Sequence, residues 1–173
     1  MKDYAAKDIR NFALVGHGSS GKTMLSEAML ASGGEINRIG SIESGSTVSD
    51  YHHDEHDRQI SIHSSPLHVE WEGTKFNVID SPGYLDFIGE TISSLAVVDL
   101  AVVTVHAVNG IEVGTEQVWN YANDYGLPKI IVVNGLDREH TKFDQVLQQA
   151  KDHFGSNVSV SYTHLTLPTN SRV

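Results

Sequence analysis

Eight consecutive residues, Gly16-His17-Gly18-Ser19-Ser20-Gly21-Lys22-Thr23, fit the pattern G-x-x-x-x-G-K-[ST] in full. These residue types suit the holding of a phosphate chain. Glycines let backbone N–H groups turn inward around anionic oxygens. A helix starting at the end of the loop adds partial positive charge. Lys22 can reach the β- and γ-phosphates, and the Thr23 hydroxyl can ligate Mg²⁺. The alternative is a Gly/Ser turn with a solvated lysine. The flanking pattern argues against that alternative. The apolar run Phe12-Ala13-Leu14-Val15 reads as a strand before the loop, and Met24 to Ala31 reads as a helix after it.

Two further motifs could serve the same ligand. Asp80-Ser81-Pro82-Gly83 ends an apolar run. A carboxylate there can hold Mg²⁺ through water, and the Gly83 N–H can reach a γ-phosphate. Taken alone, the segment is equally a proline-containing turn. Asn134-Gly135-Leu136-Asp137 also follows an apolar run. An ionised Asp137 can accept both hydrogens of the guanine N1/N2 edge, which adenine does not present. Taken alone, this is an Asn-Gly turn. The three motifs in this order, each at a strand end, point to one nucleotide site, because doubly wound sheets bind ligands at the carboxyl ends of their strands.

The elements that must position these motifs follow from periodicity. Asn11 to Val15 predicts a central buried strand. Residues 22–32 predict a helix whose Leu25, Ala28 and Met29, with Leu30 beside them, pack on a sheet. Gly33 to Arg58 is polar and too long for an ordinary connection. Ile60 to Trp71 alternates as a strand, with Pro66 marking an edge. Glu72-Gly73 turns it into a second strand, Thr74 to Ile79, as an antiparallel hairpin. Helices over 88–97, 113–125 (Val113, Val118 and Ala122 inward) and 143–154 alternate with strands over 100–105 and 129–133. The expected fold is a three-layer α/β phosphate-loop domain with a mostly parallel sheet and one antiparallel hairpin.

Composition bounds the function. The chain has 173 residues and a net charge of −10. That acidity excludes a broad basic face for nucleic acid, so no sequence-specific nucleic-acid binding is expected. There are no cysteines, hence no disulfide and no thiolate metal site. The polar start, Met1 to Arg10, does not read as a secretory signal. The run Leu95 to Val108 is too short to span a bilayer. A cytoplasmic monomer is expected. The run Asp50-Tyr51-His52-His53-Asp54-Glu55-His56-Asp57 holds metal-ligand residue types, but reads as a solvated polar loop. Trp119 and Tyr121 read as packing residues rather than base-stacking ones.

The residues Gly16-His17-Gly18 through Thr23, Asp57-Arg58-Gln59-Ile60-Ser61-Ile62, Asp80 to Phe87 and Val133 to Arg138 together resemble the GTP-binding domain of translational GTPases, specifically elongation factor G and its paralogues. The resemblance covers residues 8 to about 155. It implies binding of GTP and GDP with Mg²⁺, a conformational switch, and ribosome-stimulated hydrolysis during translocation or a related step. Residues 38–61 would be the first switch and 80–90 the second. Ser61 matches the family's Mg²⁺-coordinating threonine. Lys22, Thr23, Ser61 and Asp80 would handle phosphate and Mg²⁺, and Asn134 and Asp137 would read guanine.

Two departures from that family bear on function. Tyr84 stands where the family has the histidine that positions the attacking water. A phenol with a reference pKa of about 10 stays neutral near pH 7. Slow or differently activated hydrolysis is therefore expected, or a ribosome-binding switch with little turnover. Gly135 replaces a lysine whose stem lies against the base, so guanine preference with reduced affinity is expected. An unrelated ATPase is the remaining alternative, which Asp137 disfavours. The C-terminal stretch Val160 to Val173 has no counterpart in the family and resembles an in-frame translated sequencing adapter, the alternative being a genuine disordered terminus. The expected division is a partial GTP-binding domain over 8–159 and a non-family tail over 160–173. A sheet incomplete at its C-terminal end, with an open edge, follows from it.

Overall fold

The computed structural model describes residues 3–139 and 141–155, and the backbone of 160–162. Its centre is β1 (Ile9–Gly16). Around it lie β2 (Ser65–Trp71), β3 (Thr74–Asp80), β4 (Leu100–His106), β5 (Lys129–Asn134) and β6 (Val160–Tyr162), in the order β2-β3-β1-β4-β5-β6. Among the described strands only β2 and β3 pair antiparallel, and the other neighbours are parallel. Pro66 lies in β2, the edge strand, where a missing N–H is tolerated. The hairpin turn uses Glu72 at φ 46° and Gly73 at φ 80°, the doubly positive pair that matches strand twist.

Register delivers the three motifs to one edge. Leu14 aligns with Asp80 on one side and Val102 on the other. Gly16 aligns with Thr104, and His106 with Asn134. The phosphate loop, Asp80 and Asn134 therefore leave the sheet together at its carboxyl end, where parallel strands present their ligand site.

Alternation along the strands divides the core in two. Phe12, Leu14, Val78 and Val102 meet α1 (Lys22–Gly33) through Leu25 and Met29. Ala13, Val15, Val103, Val105, Ile131 and Val133 meet the other helices. These are α3 (Ile88–Leu95), α4 (Val113–Asp124) and α5 (Phe143–Phe154), contributing Leu95, Val118, Ala122, Val146 and Ala150. Trp119 stacks on Phe154 with ring centroids 4.1 Å apart, so it packs between α4 and α5.

Four local expectations differ from the structure. Val113 is 62% exposed, because it opens α4 at the rim while the next two residues turn inward. The long polar connection contains a helix, α2 (His53–Arg58), whose polar sequence carries no apolar period. The strand expected from Ile60 begins only at Ser65. The outer edge of β5 is not open, since Ile131–Val133 pair with the backbone of Val160–Tyr162. Three residues of the stretch read as tail thus lie in the sheet, and residues 163–173 fall outside the described residues.

Leu14 is fully buried at the centre of β1. Leu14→Ala should lower stability by about 2–5 kcal/mol in urea unfolding. A loss below about 1 kcal/mol would contradict its place in the core.

Candidate functional site

The phosphate loop closes over the end of β1 and opens α1. Gly21 takes φ +88°, and a Cβ there would run into the Asn134 side chain, so both conformation and contact demand glycine. Ser19 also takes a positive φ, 62°. Ser20 is buried, its Oγ 2.8 Å from Thr104 Oγ1. The Thr104 hydroxyl in turn donates to the Val15 carbonyl at 3.1 Å.

Lys22 is 5% exposed. Its ammonium donates to the carbonyls of Gly16 at 3.1 Å and His17 at 2.8 Å. Burial pushes Lys22 down to about 8, against the pull of Asp80 and Asp50. Burial pushes the Asp80 carboxyl up to about 6, although the Ser49 hydroxyl and Lys22 favour its ionised form. Burial also raises Asp50, with the Ser61 hydroxyl opposing. The site thus places one cation against two nearly buried carboxylates.

Hydroxyls complete the arrangement. Ser49 Oγ donates to Asp80 Oδ2 at 2.8 Å. Thr23 Oγ1 and Ser61 Oγ are 3.1 Å apart, although 38 positions separate them in the chain. Asp80 Oδ1 is buried without a hydrogen-bond partner, an arrangement that costs free energy unless a cation or donor meets it. These groups border a cavity of about 350 Å³ lined by Gly18, Ser19, Gly21, Lys22, Thr23, Asp50, Ser61, Gly83, Tyr84 and Arg138, among others. Gly83 packs against Lys22 and the His17–Gly18 backbone, and the Tyr84 ring lies over Gly18. Gly16, His17, Ser20, Asp80 and Asn134 stand behind the lining. His17 Nε2 is 3.7 Å from Glu112 Oε1, with its Nδ1 buried beneath Gly114 of α4.

Asn134 ties the third motif to the first. Its Nδ2 donates to the carbonyls of Ser20 and Gly21, both at 3.3 Å. Its Oδ1 accepts the Gly135 N–H at 2.9 Å. Gly135 takes φ +82°, where a lysine would cost about 1–2 kcal/mol. Gly135 is therefore more than a deleted side chain, and its loop has its own geometry. Asp137 is exposed and is not among the cavity-lining residues.

Two buried glutamates hold the long loop against the site. Glu27 of α1, fully buried, accepts the Gly40 N–H at 2.8 Å and the Val48 N–H at 2.6 Å. Glu55, 1% exposed, accepts the N–H groups of Ile62 and His63, both at 2.9 Å. Sequence reasoning missed Glu27, Ser49 and Glu55 as site-forming residues, and took Asp50 as solvated. A glutamate on the inner face of a helix beside the phosphate loop was the available signal for Glu27.

A glycine-rich loop, a strand-end carboxylate and an Asn-x-x-Asp loop at one sheet edge define a phosphate-loop nucleotide-binding domain. The profile of the elongation factor Tu GTP binding domain matches residues 7–169, and the chain belongs to that family. The ribosome-releasing factor 2, mitochondrial, of Candida dubliniensis is 42% identical over 149 residues, 86% of this chain and 18% of that relative. The factor of the same name from Debaryomyces hansenii is 40% identical over 140 residues, 81% of this chain and 16% of it. The chain therefore spans less than a fifth of these relatives. A Thermus thermophilus crystal structure superposes with a TM-score of 0.83 at 37% identity, covering 85% of this chain and 22% of that one. The bacterial selenocysteine-specific elongation factor shares the fold, with a TM-score of 0.68 at 20% identity over 88% of this chain and 25% of its own. No helix among the described residues is long and apolar enough to cross a membrane.

A carboxyl whose folded pKa is raised stabilises the fold while protonated. Asp80 makes that contribution below the ordinary carboxylate range and loses it as pH rises through about 6. In chelator-treated, nucleotide-free protein, the unfolding temperature of Asp80→Asn minus that of the unsubstituted protein should grow between pH 5 and 7. A difference constant across that range would contradict the burial of Asp80.

Proposed function

We propose that this chain is the GTP-binding and GTP-hydrolysing domain of an elongation factor G-type protein acting on the ribosome. The observation that carries the reading is the joining of Asn134 to the phosphate loop, with Lys22 lining the cavity there and Asp80 behind it. GTP would lie with its phosphates along Gly16–Thr23. Lys22 would exchange its two carbonyl partners for β- and γ-phosphate oxygens. Asn134 would keep the loop in shape, and Asp137 would accept the guanine N1 and N2 hydrogens.

Magnesium fits the donors present: the Thr23 and Ser61 hydroxyls lie together, and Asp80 carries a buried unpartnered oxygen. When bound, Mg²⁺ supplies positive charge to the phosphate oxygens. Thr23 and Ser61 would hold it directly, with Asp80 behind. Hydrolysis then needs a water attacking the γ-phosphorus in line as the bond to the β–γ bridging oxygen breaks. Tyr84, at 39% exposure with its ring over Gly18, would hydrogen-bond that water. Its phenol orients but offers no cation, so turnover rests on positioning and on Lys22. The position of Tyr84 also favours a second reading, a GTP-dependent ribosome-binding switch with little turnover.

The ribosome enters through relatives whose names carry it, and the parent protein would serve translocation or a related step such as ribosome release. The cysteine-free composition suits the cytoplasm; the mitochondrial names of the relatives make the matrix the alternative. The chain is taken to act as a monomer, without membrane.

Equilibrium titration with GDP and Mg²⁺ tests the reading. Lys22→Ala should weaken GDP at least tenfold, and Asp137→Ala should abolish the preference for GDP over ADP. Unchanged affinity in Lys22→Ala would overturn the phosphate assignment. In the full-length parent, Tyr84→His should raise the ribosome-stimulated rate. An equal or lower rate would mean that Tyr84 does not limit turnover.

A further inference from the structure

Away from the nucleotide cavity, three side chains from two parts of the long loop converge. His52 caps the start of α2, Asp54 lies in its first turn, and His63 lies in the segment entering β2. One ligand atom from each lies within 4.8 Å of the other two. His63 Nε2 is 3.4 Å from Asp54 Oδ2, and the His52 and His63 ring centroids are 4.4 Å apart. Donors bound tetrahedrally at about 2.0–2.2 Å from zinc sit about 3.3–3.6 Å from one another. The His63–Asp54 pair already has that spacing, and the His52 ligand atom lies within 4.8 Å of both.

We propose that His52, Asp54 and His63 form a binding site for a first-row divalent transition-metal ion, with zinc the best fit. Two imidazoles and one carboxylate suit zinc, cobalt or nickel and disfavour magnesium, which prefers oxygen donors. The site is therefore chemically distinct from the oxygen-lined pocket at Thr23, Ser61 and Asp80. The side chains of His63 and Asp54 are 42% and 48% exposed, which leaves an outer coordination position to water.

Buried Glu55 separates this group from a chance cluster of solvated residues. Its Oε2 accepts the His52 N–H at 3.2 Å, while its Oε1 accepts those of Ile62 and His63. One carboxylate thus fixes the backbone of both histidines before any ion arrives. The Tyr51 ring lies against His52, centroids 4.3 Å apart, and limits its swing. The nearby histidines have other partners. His53 pairs with Asp57 at 3.0 Å, and His56 Nε2 lies 2.7 Å from the Asp50 carbonyl. An ion bound here ties α2 to the entry of β2 across the segment that carries Gln59, at φ 55°, and Ser61. His63 lies outside the run Asp50–Asp57, so its part in the group is visible only in the fold.

The test uses the full chain, freed of metal by chelation and then saturated with Mg²⁺. Cobalt is titrated by its visible absorption, and zinc by calorimetry. One saturable zinc equivalent is expected, with His52→Ala and His63→Ala each weakening it at least tenfold and His53→Ala changing it less than twofold. Glu55 grips backbone rather than rings, and the metal-free unfolding temperatures of the alanine variants check that the loop is kept. Absence of saturable binding in Mg²⁺ would overturn the proposal. So would a His63→Ala protein that binds as tightly as the unsubstituted chain, or a His53→Ala protein that loses as much as His63→Ala.

Discussion

A lysine ammonium, removed from water and held by the carbonyls of Gly16 and His17, sets the terms for the rest of the molecule. A buried cation is costly unless hydrogen-bonded and balanced by opposite charge. Asp80 and Asp50 supply the opposite charge, but they are two against one, and burial pushes both toward their neutral forms. The chain alone therefore holds charges in an arrangement that bound cations and phosphates would complete. Lys22 spends its N–H donors on two carbonyls, and Asp80 has an oxygen with no partner.

Such an arrangement survives only if its members cannot drift apart. The sheet register brings Gly16, Asp80 and Asn134 to one edge. Asn134 then fastens the third loop to the first through two carbonyls. Glu27 and Glu55 capture the long loop by its backbone N–H groups, so Asp50 and Ser61 arrive from far along the sequence. In each case a side chain grips backbone, which fixes the path of a loop independently of what that loop's own side chains do. Held this way, the loop brings side chains such as His52, Asp54 and His63 close to one another.

What could be read from the sequence divides along the same physical line. The central strands β1, β3, β4 and β5, α1 and the three motifs were legible because glycine pattern and apolar alternation report local structure directly. Pro66 at the edge and Glu72-Gly73 in the turn were legible for the same reason. The long loop was not. Its helix α2 is polar on all sides, and the loop's order comes from contacts of two buried glutamates, Glu27 on α1 and Glu55 within α2, with backbone outside their own helices. Val113 misled because helical spacing does not say where a helix meets the rim. β6 was invisible because nothing in its sequence marks it, and its pairing with β5 is a tertiary event. Asp50 and His63 matter only through neighbours that the fold supplies.

The most direct test of a preformed guanine-nucleotide cradle is thermal unfolding of the chain with Mg²⁺ and GDP, against the same scan with ADP. A ligand that binds only the folded state at about 100 times its Kd adds ~2.7 kcal/mol of stability. Stabilisation of that order by GDP, with little from ADP, is the expected result. Equal stabilisation by both would contradict base reading by Asp137. Stabilisation by neither, in a chain that unfolds cooperatively, would contradict the cradle itself.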